Sequence, residues 1–399
     1  MLRDYFFRHV GQTSPEPMAL EISHGQGCWL YDTDGKKYLD LISGISVSSL
    51  GHSNPKITAA IRKQTDLHLH TLVYGEHIQA PQVLLAKALA NTLEGTGIDR
   101  FFFVNSGSEA IEGAMKLAKR YTGRFEFLAC TQSYHGSSHG ALSLGSDEYW
   151  KQNFRPLLPG IRHIRFGKTE DLIQINEKTA AIFIETIQGE AGVRTADTAY
   201  FQALQKRCNE TGTLLILDEI QAGFGRSGKF WAFEHYGIVP DVLVMAKAMG
   251  AGMPIGAFAA SSKLMETLSQ NPVLGHISTF GGHPLSCAAS LAGLEFILEN
   301  KLLDSVNSKV NLFHSLLKHP EIIELRSAGL LMALELGSFE KVMSSIQYCL
   351  RHGLITDWFL HCNTALRIAP PLTISEEEIN FACKLILESL DYQSTEIKF

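Results

Sequence analysis

The chain has 399 residues, 45% of them hydrophobic and 19% charged, with a formal net charge of -6. That length exceeds one typical domain, and the composition is that of a packed globular protein, so a large core with a second lobe is expected. The small negative charge argues against nucleic acid or an acidic membrane surface as a main partner, and no apolar stretch reaches the length of a bilayer span.

The first residues, Met1 to His9, lack the uninterrupted apolar core of a secretory signal. Seven scattered cysteines, odd in number and without a CxxC pair, read as small buried hydrophobes in a reducing cytosol, not as a disulfide framework or a zinc site. Residues 25–40 alternate apolar and polar around Asp34-Gly35, a strong hairpin signal. Asn54-Pro55 then places an N-cap and a first-turn proline at the start of a helix.

Between about residues 100 and 260, apolar runs at 101–104, 125–130, 180–184, 214–217, 242–245 and 255–260 alternate with amphipathic stretches near 109–121 and 198–210. Alternation of this kind predicts an α/β fold with a parallel sheet and helices on both faces. Beyond residue 285 helical patterns dominate, at 285–299, 302–317, 339–352 and 376–390, with short strands between them. Ser375 and Glu378 form a capping box for the last helix. This tail is expected to be a smaller α+β lobe that shares its sheet with the N-terminal hairpin. The expected division is 1–50 with the small lobe, 51–285 as the large domain, and 286–399 as the rest of the small lobe.

Charge placement then points to chemistry. The run 214–217 breaks on Asp218-Glu219, and the run 242–245 ends just before Lys247. Buried parallel strands deliver ligand-binding groups at their carboxyl ends. An amine and a carboxylate held there suit a cofactor with an aldehyde and a ring nitrogen, as in pyridoxal 5'-phosphate. A charge that merely marks a strand's exit from the core is the plainer alternative for either residue alone. Ser106-Gly107-Ser108-Glu109 follows the run at 101–104 and opens a helix, an anion site by its unpaired N–H groups and dipole. Ser106 and Glu109 also fit a capping box. Tyr134-His135-Gly136 follows the run at 125–130, where Tyr134 could stack on a flat ring and His135 reads as a hydrogen-bonded structural histidine. Glu185 through Gly192 ends the run at 180–184 and carries two carboxylates, Glu185 and Glu190, on the ligand side.

Taken in order, Ser106 to Ala110, Tyr134 to Gly136, Glu185 to Gly192, Asp218 to Gly223, Ala246 to Ala248, Ser278 to Pro284 and Leu366 to Leu372 resemble the class III aminotransferases of the ornithine, acetylornithine and 4-aminobutyrate type. The resemblance spans about residues 15–390. It implies fold type I of the pyridoxal-phosphate enzymes: a large domain with a mostly parallel seven-stranded sheet plus a smaller α+β domain. It implies Lys247 as the Schiff-base lysine that also moves the substrate proton, and Asp218 as the partner of the ring nitrogen. Gln221 would bond the ring hydroxyl, Ser106, Gly107 and Ser108 the phosphate, and Tyr134 would cover a ring face, with Glu185 also among the cofactor-binding positions. Thr279 would reach the cofactor phosphate of a neighbouring subunit, making a two-fold homodimer part of the site. Arg367 matches the arginine that grips the carboxylate of 2-oxoglutarate, and Glu190 the glutamate that pairs with it when the donor has no carboxylate there; an exposed ion pair is the plainer reading. Ser278 and Tyr74 fall among the substrate-binding positions.

Two positions depart from the pattern. Ser137 stands where the family usually carries a carboxylate-binding arginine, and Ile45 where ornithine enzymes place a tyrosine. The implied reaction is amino transfer from an ω-amino donor, acetylornithine or ornithine first, to 2-oxoglutarate in the cytoplasm. A 4-aminobutyrate or diamine transaminase, an aminomutase of the same fold, and a silent cofactor-binding module are the alternatives.

Overall fold

The structure, a computed structural model, describes residues 1–73 and 75–392. Near the N-terminus β1 (Ile22–Gln26), β2 (Trp29–Asp32) and β3 (Lys37–Asp40) form an antiparallel meander. The expected hairpin is its second turn. Gly35 takes the left-handed φ of 84° that the turn requires, and the Asp32 carboxylate accepts the N–H groups of Asp34 (3.0 Å) and Lys36 (2.8 Å). The helix Pro55–Thr65 starts as expected, with Asn54 Oδ1 accepting from Lys56 N at 3.1 Å.

The central layer contains β4 (Arg100–Val104), β5 (Glu126–Cys130), β6 (Ile161–Ile164), β7 (Thr179–Glu185), β8 (Leu214–Asp218), β9 (Val242–Met245) and β10 (Gly256–Ala260). They form one seven-stranded sheet in the order β4-β10-β9-β8-β7-β5-β6. β10 runs antiparallel to both of its neighbours, and the other pairings are parallel. Every residue of β7, β8 and β9 is buried, because both faces are covered. Ile182, Leu215 and Leu217 pack on one side with Leu85, Leu89 and Cys287. Phe183, Ile216 and Val244 pack on the other with Ala110, Ala114 and Leu117 of the helix Gly107–Thr122.

The C-terminal layer has β11 (Glu324–Ala328), β12 (Leu331–Glu335), β13 (Leu354–Ile355), β14 (Trp358–Phe359) and β15 (Cys362–Ile368). β11-β12-β15-β14 is an antiparallel sheet of its own, and only the two-residue β13 joins the N-terminal meander, parallel to β3. The sheet sharing expected from the sequence is thus confined to one short strand, placed where Leu354 pairs with Leu39 in the shared core. The helices Pro284–Glu299, Phe339–Arg351 and Glu376–Asp391 match their patterns, while the 302–317 stretch splits into a 3-10 turn, Leu302–Ser305, and the helix Val306–Leu316. Six of the seven cysteines are buried, Cys362 is half-buried, and all are unpaired thiols. Among the described residues no helix is long and apolar enough to cross a membrane.

Candidate active site

The carboxyl ends of β4, β5, β7, β8 and β9 open on a cleft of about 470 Å³. Ser106, Gly107, Ser108, Tyr134, Glu185, Asp218, Gln221 and Lys247 all line it, drawn from five separate segments. Asp218 closes β8 and Lys247 lies two residues past β9, the adjacent strand. Lys247 has a φ of 48°, a conformation that non-glycine residues hold only where the surroundings dictate it. Burial pushes its amine below the ordinary lysine range; Glu190 opposes that shift, Arg367 adds to it, and Asp218 and Glu185 oppose it again.

Asp218 is held from two sides. His135 Nδ1 lies 2.7 Å from Oδ2, and Ile220 N donates to Oδ1 at 3.0 Å. Burial works against a charged His135, yet the hydrogen bond and charge of Asp218, helped by Glu185, prevail and raise its pKa. His135 is therefore a hydrogen-bonded histidine, and its partner is the site aspartate. Glu185 accepts from Tyr134 N (3.0 Å) and Gly189 N (3.2 Å), and burial pushes its carboxyl up to about 8.

The helix Gly107–Thr122 points its N-terminus into the cleft. Ser106 Oγ accepts from Glu109 N at 3.2 Å, but the Glu109 carboxylate accepts from Asn105 N (2.8 Å) and Asn105 Nδ2 (2.9 Å) instead of returning to Ser106. The expected capping box is closed on one side only, because Asn105 offers two donors where Ser106 offers one. Ser108 Oγ accepts from Ser137 N at 3.1 Å. Gly136, at φ 129°, permits that approach, since a Cβ there would lie 2.0 Å from Ser108 Oγ. The hydroxyls of Tyr134 and Ser137 are 3.2 Å apart.

Arg367 and Glu190 stand outside the residues lining the cleft but act on Lys247 electrostatically. Arg367 is 2% exposed and Glu190 4%, so the pair is buried and not a surface ion pair. The contact is bidentate, Nη1 to Oε1 at 2.8 Å and Nη2 to Oε2 at 2.9 Å. Asp357, which the sequence did not single out, adds a second carboxylate 2.8 Å from Arg367 Nε, and the ring of Phe359 lies 4.5 Å from the guanidinium. Burial raises the Asp357 carboxyl to about 6, partly offset by Arg367.

Ser278 is not among the residues lining the cleft; its Oγ accepts from Asn105 Nδ2 at 2.9 Å, and it lines a separate cavity of about 350 Å³ with Val73, Gln82 and Phe103. Thr279 is exposed. Tyr74 lies outside the described residues.

The cleft is a sound match for pyridoxal 5'-phosphate: a helix N-terminus for the phosphate, a carboxylate opposite an amine, and a buried Gln221 Nε2 with no hydrogen-bond partner among the described residues. The sequence pattern of the class III aminotransferases matches residues 10–390. The chain belongs to that family. It is 38% identical to the acetylornithine aminotransferase of Archaeoglobus fulgidus over 95% of this chain and 98% of that one. An ornithine aminotransferase from Toxoplasma gondii, solved with partial occupancy of PLP at its active site, superposes with a TM-score of 0.89 at 30% identity, covering 98% of this chain and 93% of that one. An adenosylmethionine-8-amino-7-oxononanoate aminotransferase from Methanocaldococcus jannaschii superposes at 0.91 and 26% identity, covering 98% of both chains. The α/β fold with a mostly parallel seven-stranded sheet is the one the class III resemblance implies.

Proposed function

We propose that this class III aminotransferase uses pyridoxal 5'-phosphate to move an amino group from an ω-amino donor of the acetylornithine or ornithine kind to 2-oxoglutarate, in the cytoplasm. When bound, the cofactor supplies an aldehyde that takes up the amine and a ring that draws electron density from the substrate carbon. The observation that carries the reading is Lys247 and Asp218 at the ends of adjacent central strands, facing one cleft.

Lys247 holds the cofactor and carries the proton at the substrate carbon; its lowered pKa leaves more of the amine neutral for that task. Asp218, oriented by His135 and Ile220 N, would partner the ring nitrogen. Ser106, Gly107 and Ser108 present N–H and hydroxyl groups to the phosphate, Gln221 turns its unpartnered amide to the ring, and Tyr134 and Glu185 shape the remaining wall. Arg367 receives a carboxylate of 2-oxoglutarate once Glu190 moves off, and Glu190 covers it while an amine occupies the site. The 2% exposure of Arg367 supports this exchange, because a guanidinium so buried needs an anion in both states. The layering fits a division of the chain near residues 50 and 285, with Lys247 on the central part and Arg367 on the C-terminal one. Ser278 and Thr279 are assigned to substrate and to the phosphate of a two-fold partner's cofactor.

The test is a single turnover. The loaded protein's visible absorbance should be discharged by N-acetylornithine or ornithine and restored by 2-oxoglutarate with glutamate released, and Lys247→Ala should respond to neither. A protein that binds the cofactor but answers no amine would overturn the reading.

A further inference from the structure

Arg367 has two carboxylate neighbours, and they are not equivalent. Glu190 takes the Nη1–Nη2 edge of the guanidinium, at 2.8 and 2.9 Å, and also accepts from Leu360 N at 3.1 Å. Asp357 lies at the other edge, with Oδ1 2.8 Å from Nε. Neither of those two atoms has a hydrogen-bond partner among the described residues, so this second contact is one of charge. Trp358 O accepts from Nη2 at 2.9 Å, and the ring of Phe359 lies against the guanidinium face. Strand pairing fixes this side of the setting. Trp358 pairs with Leu366, which brings Asp357 opposite Arg367, and Arg367 N donates to Asp357 O at 2.8 Å.

Glu190 can leave by its side chain alone, because its backbone is held. His361 N donates to Glu190 O at 2.9 Å, and Arg326 Nε donates to Gly192 O at 2.7 Å. Gln188 and Arg194 exchange two N–H···O bonds of 3.0 Å across the same loop. A side-chain rotation therefore frees Nη1, Nη2 and Leu360 N together, a set of donors suited to an incoming carboxylate. What stays behind decides whether the rotation is allowed. A guanidinium 2% exposed and left without an anion is strongly disfavoured, but here Asp357 remains beside it. The Asp357 side chain is 19% exposed, so water still reaches it. Burial raises its carboxyl to about 6, Arg367 opposes that rise and Glu190 adds to it, as expected where two carboxylates share one cation.

We propose that Asp357 is a positioning residue, the standing counter-ion of Arg367, which keeps the guanidinium paired while Glu190 and a carboxylate of 2-oxoglutarate exchange places. The inference rests on the transaminase reading above and adds the group that makes its acceptor exchange fast. Glu190 and the acceptor occupy the same edge of the guanidinium, so Asp357 repels both alike. It raises the fraction of open sites and weakens each occupied one by the same factor. Exchange is quickened while the dissociation constant hardly moves.

Stopped-flow mixing of 2-oxoglutarate with the aldehyde-loaded holoenzyme, which has no amino group to pass on, reads binding alone through the visible absorbance. The measurement belongs near pH 8, above the Asp357 pKa of about 6. Asp357→Asn should slow association and dissociation together, each on the order of tenfold, and leave Kd within about twofold. Glu190→Gln removes the rival carboxylate. In that background Asp357→Asn should no longer slow association, and should tighten Kd on the order of tenfold through dissociation alone. A Kd that weakens in Asp357→Asn, a Kd that tightens there with association unchanged, or one and the same effect with and without Glu190 would overturn the role of Asp357 and leave the transaminase reading standing. If neither N-acetylornithine nor ornithine discharges the native absorbance, and 2-oxoglutarate leaves it untouched, the transaminase reading falls and takes the role of Asp357 with it.

Discussion

A guanidinium buried between two carboxylates cannot lose one of them without consequence. Arg367→Ala leaves Glu190 and Asp357 facing each other, so a loss of about 3–5 kcal/mol in urea unfolding is expected. In catalysis the same change should raise the KM for 2-oxoglutarate by on the order of tenfold or more while moving the KM for the amine far less. Glu190→Gln should reverse that asymmetry. Equal effects on both half-reactions would remove the assigned roles. Glu185 makes a second prediction. Burial sets its folded-state pKa at about 8, against roughly 4.3 in an unfolded chain, so between those values the folded protein keeps a proton that the unfolded chain releases. Its contribution to stability is therefore fullest in acid and falls as pH rises towards 8. The stability of cofactor-free protein minus that of Glu185→Gln should decline across pH 5 to 8.5 in urea titrations, and a flat difference would contradict the shift. Lys247 and Asp218 were legible as candidates because two apolar runs break on or just before opposite charges, whereas Gln221 entered only through the class III resemblance. The partner of His135 and the place of Asp357 were not legible: the first is a residue 83 positions away, and the second follows from the pairing of Trp358 with Leu366 that brings Asp357 beside Arg367.

Strands that are covered on both faces announce themselves, and six of the central seven stood out as apolar runs. β6 did not, since Ile-Arg-His-Ile lies at a sheet edge with three of its four residues only half-buried, which accommodates an arginine and a histidine. The C-terminal helices were readable from their period and caps. At Ser375 both arms of the capping box are made, Glu378 N to Ser375 Oγ at 3.2 Å and Ser375 N to Glu378 Oε2 at 2.9 Å. Ser375→Ala should thus lower stability by about 1 kcal/mol, measured as a shift of the urea midpoint at constant slope. Activity should stay near that of the unchanged protein, because the helix Glu376–Asp391 packs in the core with Leu366 and Leu334, away from the cleft. What the period could not convey was which short strand pairs with which. β13 is two residues long, and its choice of β3 follows from packing that no local pattern records.

Arg226 shows how the layers are joined. Its guanidinium is buried and donates to Leu330 O (2.9 Å), Pro370 O and Ser49 Oγ (2.8 Å), so one side chain from the central layer holds both the N-terminal and C-terminal parts. Among the described residues the surface around β4 has no such closure. Ile78 is 96% exposed, Val83, Ile277 and Phe280 are also exposed, and the rings of His70 and Phe280, tilted with centroids 5.1 Å apart, bring the two segments together beside Thr279. An apolar surface of this kind asks for a partner, and a second copy in two-fold register would cover it from both sides. Sedimentation equilibrium should accordingly give twice the chain mass. Ile78→Asp combined with Phe280→Asp should shift that mass towards one chain and weaken cofactor retention together, because Thr279 of each copy would be withdrawn from the other's phosphate. Thr279→Ala should weaken retention alone and leave the mass doubled. A protein that sediments as a single chain and still retains its cofactor would show that the site is complete without a second copy.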